Sequence, residues 1–505
     1  MTSMRRRDFL RRSLCATAGS AAFGSLLGKL SLANAAMPRT LLAKGVDYRA
    51  MVCIYLYGGN DSFNMVVPRH AGGGAPPAGS PYGIYAGTRG SLAVPNAQLL
   101  ALNPTVAPLG GGEFGLHPSM TGTQQMFNAG RAAIVANVGP LVRPVNKASY
   151  ELPGTPLPPQ LFSHSDQSVL WQTPRADSVT RTGWGGRLAD IFASDNGNPA
   201  LSMNISLDGE NVFQAGVSVS PYFMSAGGVE DIDFIATETP GCEGEAWSNA
   251  RRCSTFNAMM NREYAHPFER AYAQKVRSTM AATEQVATAL LAIPVNDAVF
   301  RPFWDAFGLP WDPDNLAELP YLAAQLLMIA RVIRVRAALG MTRQLFFAGI
   351  GGFDTHDAQL EQQPGLLRDL SQAVKAFYDV LDAPAFGLGN SVTTFTASEF
   401  GRTLTNNGDG TDHGWGGHHL VFGGGVDGGR IYGRMPDLRP PESNPDDAGW
   451  GQIIPTLSAD QYAATLATWF GLSGADRSDI FPNLEFMEGP LLSIEGPDLG
   501  FMTPG

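Results

Sequence analysis

The segment Met51 to Tyr57, MVCIYLY, is an unbroken run of mostly apolar residues closed by Gly58-Gly59. It does not alternate, so both of its faces are expected to be buried, as in a central strand of a parallel sheet. The turn that follows presents Asn60 and Asp61, at the edge where α/β proteins place ligands. The same form recurs. Arg343 to Ile350 runs into Gly351-Gly352-Phe353-Asp354-Thr355-His356, and Ser391 to Ala397 runs into Ser398-Glu399-Phe400-Gly401-Arg402. Ala132 to Val138, Leu201 to Leu207 and His418 to Phe422 read as further strands.

Between these strands the period changes to that of a helix. Leu322, Leu326, Ile329 and Ile333 share one face of a helix predicted over Tyr321 to Leu339, and Leu366, Leu370, Val374, Phe377 and Leu381 share one face of the next. Helices are also predicted over Pro118 to Asn128, Trp184 to Ala193, Asn261 to Ala292 and Asp460 to Phe470. Ser163-His164-Ser165-Asp166 precedes an apolar helical run and marks a helix N-terminus. Strands alternating with helices predict an α/β fold with a mostly parallel central sheet. Two stretches lack a period. The Gly/Pro-rich Arg69 to Gly112 reads as a long surface excursion, and the region around 208–320 as an insertion or cap.

Composition agrees with a compact, loop-rich protein: of 505 residues, 59 are Gly and 36 Pro, and 16% are charged. The N-terminus changes the picture more. Arg5, Arg6 and Arg7 precede Asp8-Phe9-Leu10, an uncharged segment runs from Ser13 to Gly28, and Ala33-Asn34-Ala35 supplies a small-residue cleavage pattern. That order is a secretory leader over residues 1–35. Arg6-Arg7-x-Phe9-Leu10 resembles a twin-arginine export signal, which makes the twin-arginine translocase the expected partner during export and the periplasm or exterior the expected location. The apolar stretch is short and rich in Ala, Gly and Ser, so no stable membrane anchor is expected. The full chain has net charge −11. Losing a leader of net +5 leaves about −16, which argues against nucleic acid as a partner. Cys242 and Cys253 flank a short polar loop and are expected to pair in an oxidising compartment, whereas Cys53 reads as an inert core thiol.

The candidate chemistry lies at the strand ends. The metal candidates are Asp61, Asp354, His356, Glu399, Asp412 and His413; carboxylate with imidazole suits zinc, manganese or iron, and carboxylate alone magnesium or calcium. The catalytic candidates are Ser163 and its neighbour His164. A serine at a helix start faces free backbone N–H groups that suit an anionic oxygen, although a serine there also serves as a simple cap. The lipase-type G-x-S-x-G elbow and the Walker A loop are both absent.

Leu56-Tyr-Gly-Gly-Asn-Asp-Ser-Phe-Asn64, Phe114-Gly-Leu-His-Pro118, Ser163-His164, the Gly351 to His356 segment, Ser398 to Arg402 and Thr411-Asp412-His413-Gly414 together resemble an exported bacterial family, domain of unknown function 1501, grouped with the alkaline phosphatase and sulfatase superfamily. The resemblance implies an alkaline-phosphatase-like α/β/α sandwich with loop-rich insertions, a divalent metal ion, and hydrolysis of a small anionic phosphate or sulfate ester with Ser163 as nucleophile. It matches Asp61 to the first metal-binding acid, and Asp354 and His356 to an Asp-and-His metal motif. His413-Gly414 matches the last His-Gly motif, or Asp412-His413-Gly414 is a displaced D-H-G. Phe400 stands where a ligand His is usual. That departure keeps a second expectation open, a non-catalytic exported binding or assembly protein on a degenerate hydrolase scaffold.

Overall fold

The computed structural model describes residues 47–72, 74–178, 180–229 and 247–503. The expected leader and Cys242 lie outside the described residues; Cys253 is buried and disulfide-bonded. In chain order the elements that build the site and its support are β1 (Arg49–Leu56), α1 (Ser62–Met65), α2 (Pro81–Arg89), α3 (Thr121–Asn128), β2 (Ala132–Gly139), α4 (His164–Gln172), α5 (Trp184–Phe192), β3 (Asn204–Ser206) and β4 (Tyr222–Phe223). After these come α6 (Trp247–Met260), α7 (Pro267–Leu290), α8 (Tyr321–Arg334), β5 (Arg343–Ile350), α9 (Gln359–Asp382), β6 (Val392–Ala397), β7 (Gly417–Gly423), β8 (Arg430–Tyr432), β9 (Leu457–Ser458) and α10 (Ala459–Phe470).

β1 is central, as its unbroken apolar run requires. Successive side chains of a strand point to opposite faces. Ala50, Val52, Ile54 and Leu56 enter one core, and Met51, Cys53 and Tyr55 enter another. The first core is completed by residues such as Leu322 and Leu326 of α8 and Leu370 and Phe377 of α9, the second by Leu188 of α5 and Tyr462 and Phe470 of α10. Helices therefore cover both faces of the sheet. Its nine strands run in the order β8-β2-β7-β6-β1-β5-β3-β4, with β9 also paired to β2. β1 pairs in parallel with β5 and β6. β7 is antiparallel to both of its neighbours. This exception has a consequence for the site, because the loop entering an antiparallel strand lies at the same edge as the loops leaving its parallel neighbours.

The region read as an insertion or cap contains α6 and α7, and Ala282, Val286 and Leu290 of α7 join the first core. The expected surface excursion is only partly that. It contains α2, whose last residue, Arg89, is fully buried. Among the described residues, no helix is long and apolar enough to cross a membrane.

α10 opens with a capping box between Ser458 and Gln461. Asp460, in its first turn, is completely buried with no hydrogen-bond partner for either carboxylate oxygen. Burial pushes its pKa up to about 7, against the pull of Arg187. The folded chain then keeps a proton that the unfolded chain releases near pH ~4. Stability from this group is full below that point, declines as pH rises towards 7, and is flat above, with a slope of at most ~1.4 kcal/mol per pH unit. Asp460→Asn is expected to remove that decline, so the difference in urea midpoint between variant and parent grows from pH 4.5 to pH 7.5. A constant difference across that range counts against it.

Candidate metal centre

Three strand-end turns and one helix start build the centre. After β1, Gly58 and Gly59 take left-handed backbone conformations, φ +116° and +84°. A side chain at Gly58 would meet the Asp354 backbone nitrogen at 2.2 Å, and one at Gly59 the Phe400 ring at 2.4 Å. The two glycines thus let this turn close against the turns after β5 and β6. Gly58 N donates to Glu399 Oε1 at 2.8 Å, and Gly58 O accepts from Arg402 Nη1 at 3.0 Å.

The turn after β5 carries Asp354 and His356, α4 begins at His164, and the loop leading into β7 carries Asp412 and His413. One ligand atom each from His164, Asp354 and His413 lies within 4.8 Å of the other two. His164 Nε2 is 3.4 Å from Asp354 Oδ2, and His413 Nε2 is 3.3 Å from Asp354 Oδ1. His356 adjoins them, its Nε2 3.1 Å from Asp354 Oδ1 and 3.0 Å from His413 Nε2.

The other nitrogen of each ring is held from behind. His413 Nδ1 lies 2.7 Å from the Phe162 carbonyl oxygen, which can only accept, so Nδ1 carries the proton. His164 Nδ1 is 3.0 Å from Glu399 Oε1, and His356 Nδ1 is 3.0 Å from Asp412 Oδ1. With Nδ1 donating in each case, three Nε2 lone pairs and a carboxylate face one another. Such a convergence of acceptors is repulsive unless a cation or extra protons sit among them. Two nitrogens bound to one tetrahedral zinc ion are ~3.3 Å apart, close to the spacing seen, and histidine ligands characteristically rest on a carboxylate or carbonyl through the second nitrogen. The donor set therefore fits a divalent metal, and one that accepts nitrogen.

Charge and packing complete the arrangement. Arg402, wholly buried, donates from Nη1 to Asp354 Oδ1 at 2.6 Å. Burial raises the Asp354 pKa, but Arg402, His356 and His164 outweigh it and hold the group below the usual carboxylate range. Asp412 is likewise held low, with Asn407 and His356 overcoming burial. The hydrogen bond to Glu399 raises His164, whereas burial lowers His413. Phe400, where a ligand His was the expectation, stacks on His413 at 4.6 Å between ring centroids and packs against His164 at 4.9 Å. It walls two imidazoles in place of adding a fourth to the cluster.

Several expectations are rearranged. Asp61, expected as a ligand, caps α1 through Phe63 N at 3.1 Å and is ion-paired with Arg89, both side chains fully buried; Gln359 Nε2 donates to it as well. Glu399 and Asp412, also expected as ligands, stand behind His164 and His356. His164, expected as catalytic, presents Nε2 to the cluster. Arg402, three residues after Glu399, pairs with Asp354. Ser163 is the N-cap residue of α4, and its hydroxyl donates to Asp166 Oδ2 at 2.6 Å. No sequence signal identified Arg89, which lies in a Gly/Pro-rich stretch.

Backbone strain concentrates around the same place. Non-glycine residues at positive φ include Gln160 (51°), Phe162 (71°), Ala358 (46°) and Trp450 (60°). Phe162 supplies the carbonyl for His413, Ala358 lies two residues beyond His356, and Gln452, two beyond Trp450, donates to the His413 carbonyl at 3.2 Å. Each such conformation costs ~1–3 kcal/mol and persists where the surroundings demand it, commonly at functional sites. Glu399→Gln, which weakens the hold on His164 while keeping the side chain's shape, is expected to lower metal affinity by ~10-fold or more. Equilibrium dialysis against zinc checks this, and unchanged affinity would remove Glu399 from the support of the centre.

No curated protein matches the chain. The family model described as protein of unknown function (DUF1501) matches residues 48–445, which include β1, the helix start at His164 and both loops of the centre, and the chain belongs to that family.

Proposed function

We propose that this chain is an exported, periplasmic metal-dependent hydrolase of phosphate or sulfate esters, on an alkaline-phosphatase-like α/β/α scaffold. The observation that carries the reading is the convergence of the His164, His356 and His413 Nε2 atoms on Asp354, each ring fixed from behind. His164, Asp354 and His413 hold the ion. Glu399 and the Phe162 carbonyl orient two of these ligands, and Arg402 keeps Asp354 ionised. The nitrogen-rich set favours zinc or manganese over magnesium or calcium. The ion supplies positive charge where a reacting ester oxygen gains negative charge. Ser163, one residue before His164, is the nucleophile: its proton passes from Oγ to Asp166 Oδ2 as Oγ bonds to phosphorus or sulfur, the bond from that atom to the ester oxygen breaks, and the leaving alcohol takes the proton back from Asp166; water then hydrolyses the serine ester, while the N–H groups at the start of α4 receive an anionic ester oxygen.

One observation favours the binding or assembly reading. The Ser163 hydroxyl is engaged on its own helix turn, with Asp166 and, at 3.4 Å, Ser165. A panel of aryl phosphate and sulfate esters, assayed with zinc and manganese, separates the two. Turnover abolished in Ser163→Ala with metal content retained supports the hydrolase. Stoichiometric metal with no turnover on any ester supports the binding protein.

A further inference from the structure

We propose that the centre takes one divalent cation and not two, because buried arginines hold the carboxylate oxygens that a second ion needs. The inference rests on the metal-centre reading and adds the nuclearity. Two-metal hydrolytic sites place their ions ~3.5–4 Å apart and require further anionic ligands to hold and bridge them. Each of the other acids at this site has at least one carboxylate oxygen already engaged.

Asp61 is the acid that would serve. Its Oδ2 receives Arg89 and Gln359, and its Oδ1 receives Phe63 N. Arg89 is itself fixed: Nε donates to Asn64 Oδ1 at 3.2 Å, and Nη1 to the Thr403 and Leu404 carbonyls at 3.0 and 3.1 Å. With both side chains fully buried, moving the guanidinium aside for an ion would strand a buried charge. Glu399 does not replace Asp61, since its Oε1 is taken by Gly58 N and by the Nδ1 side of His164, and its Oε2 accepts from Ser398 Oγ at 3.3 Å. Asp412 Oδ1 is likewise taken by His356 Nδ1 and Asn407 Nδ2.

Bridging through Asp354 is blocked in the same way. Its Oδ2 faces His164, while its Oδ1 receives Arg402. Arg402 is anchored by Gly58 O and by Thr411, whose hydroxyl also donates to Gln359 Oε1 at 2.8 Å. A hydrogen-bonded chain thus runs from Asp61 through Gln359 and Thr411 to Arg402 and Asp354. It places one guanidinium at each end, where a second cation would otherwise balance the carboxylates. Of the donors left among the described residues, His356 Nε2 lies against His413 and Asp354 on the edge of the same ion site, and Asp412 Oδ2 is a single carboxylate oxygen, short of the anionic ligands that would hold and bridge a second ion.

The test is stoichiometry, read without reference to activity. The purified chain is loaded separately with zinc and with manganese, desalted, and its metal content measured by mass spectrometry. One equivalent per chain is expected, and the manganese form should give the electron paramagnetic resonance spectrum of an isolated ion. Two equivalents, or an exchange-coupled manganese pair, overturns the proposal. Asp61→Asn, if folded by circular dichroism, is expected to keep its full equivalent, and loss of half or more of the metal overturns it; the manganese spectrum of the parent chain needs no variant. No bound metal under any loading condition overturns the proposal together with the centre on which it rests.

Discussion

Replacing Arg89 by methionine is expected to destabilise the fold by about 3–5 kcal/mol, the usual cost of removing one member of a buried ion pair. The methylene stem is largely preserved, so the loss is mainly electrostatic. Asp61 keeps its charge inside the protein without its guanidinium partner, and the Thr403 and Leu404 carbonyls lose their donors. Those carbonyls belong to the loop that continues to Asp412 and His413, so the centre should loosen with the fold. Urea unfolding measures the effect as a lower midpoint at an unchanged slope. Arg89→Met with Asp61→Leu removes both charges and is expected to recover much of the loss. A cost below ~1 kcal/mol for the single variant would mean that water or a neighbour reaches Asp61 and that the pair does not anchor this loop.

The second large effect is on metal, with little change in fold. His413→Ala removes a proposed ligand from the half-exposed cluster and is expected to weaken metal binding by more than the ~10–100-fold typical of losing a mere supporting partner. Without metal the variant should unfold within ~1 kcal/mol of the parent, since the ring lies near the surface. With metal at a hundredfold excess over its dissociation constant, the parent gains ~2.7 kcal/mol and the variant gains almost nothing. Asp354→Asn is the better companion than Asp354→Ala, because the amide oxygen still faces buried Arg402. Thermal unfolding with and without zinc reads both variants. A metal-dependent rise in His413→Ala equal to that of the parent would place the ion elsewhere.

Much of the scaffold was legible in the residue order. β1, β5 and β6 announce themselves as apolar runs, and such runs are buried on both faces wherever they end up. The Gly58-Gly59 turn could be read as local turn chemistry, whereas its close approach to Asp354 and Phe400 shows only in the fold. The start of α4 at His164 and the Asp354 to His356 turn were visible as local polar signals beside periodic segments. Local chemistry also picked out every residue of the His164, Asp354 and His413 cluster, though not their division of labour.

Tertiary structure decided the rest. Period reports how deeply a strand is buried but not the sense in which it pairs, so nothing local said that β7 runs antiparallel. That reversal carries Asp412 and His413 to the edge where Asp354 and Glu399 emerge. Equally, a sequence shows which acids exist and not which of them already have partners. Arg89 reaches Asp61 from the end of a helix inside a Gly/Pro-rich stretch, and Arg402 turns to Asp354 and not to nearby Glu399. In a buried site every charge must find its counter-charge, and long-range packing settles which one. Residue types along the chain therefore put carboxylates and imidazoles at the ends of neighbouring strands; the packing of two arginines decided which of those carboxylates are paired with a guanidinium.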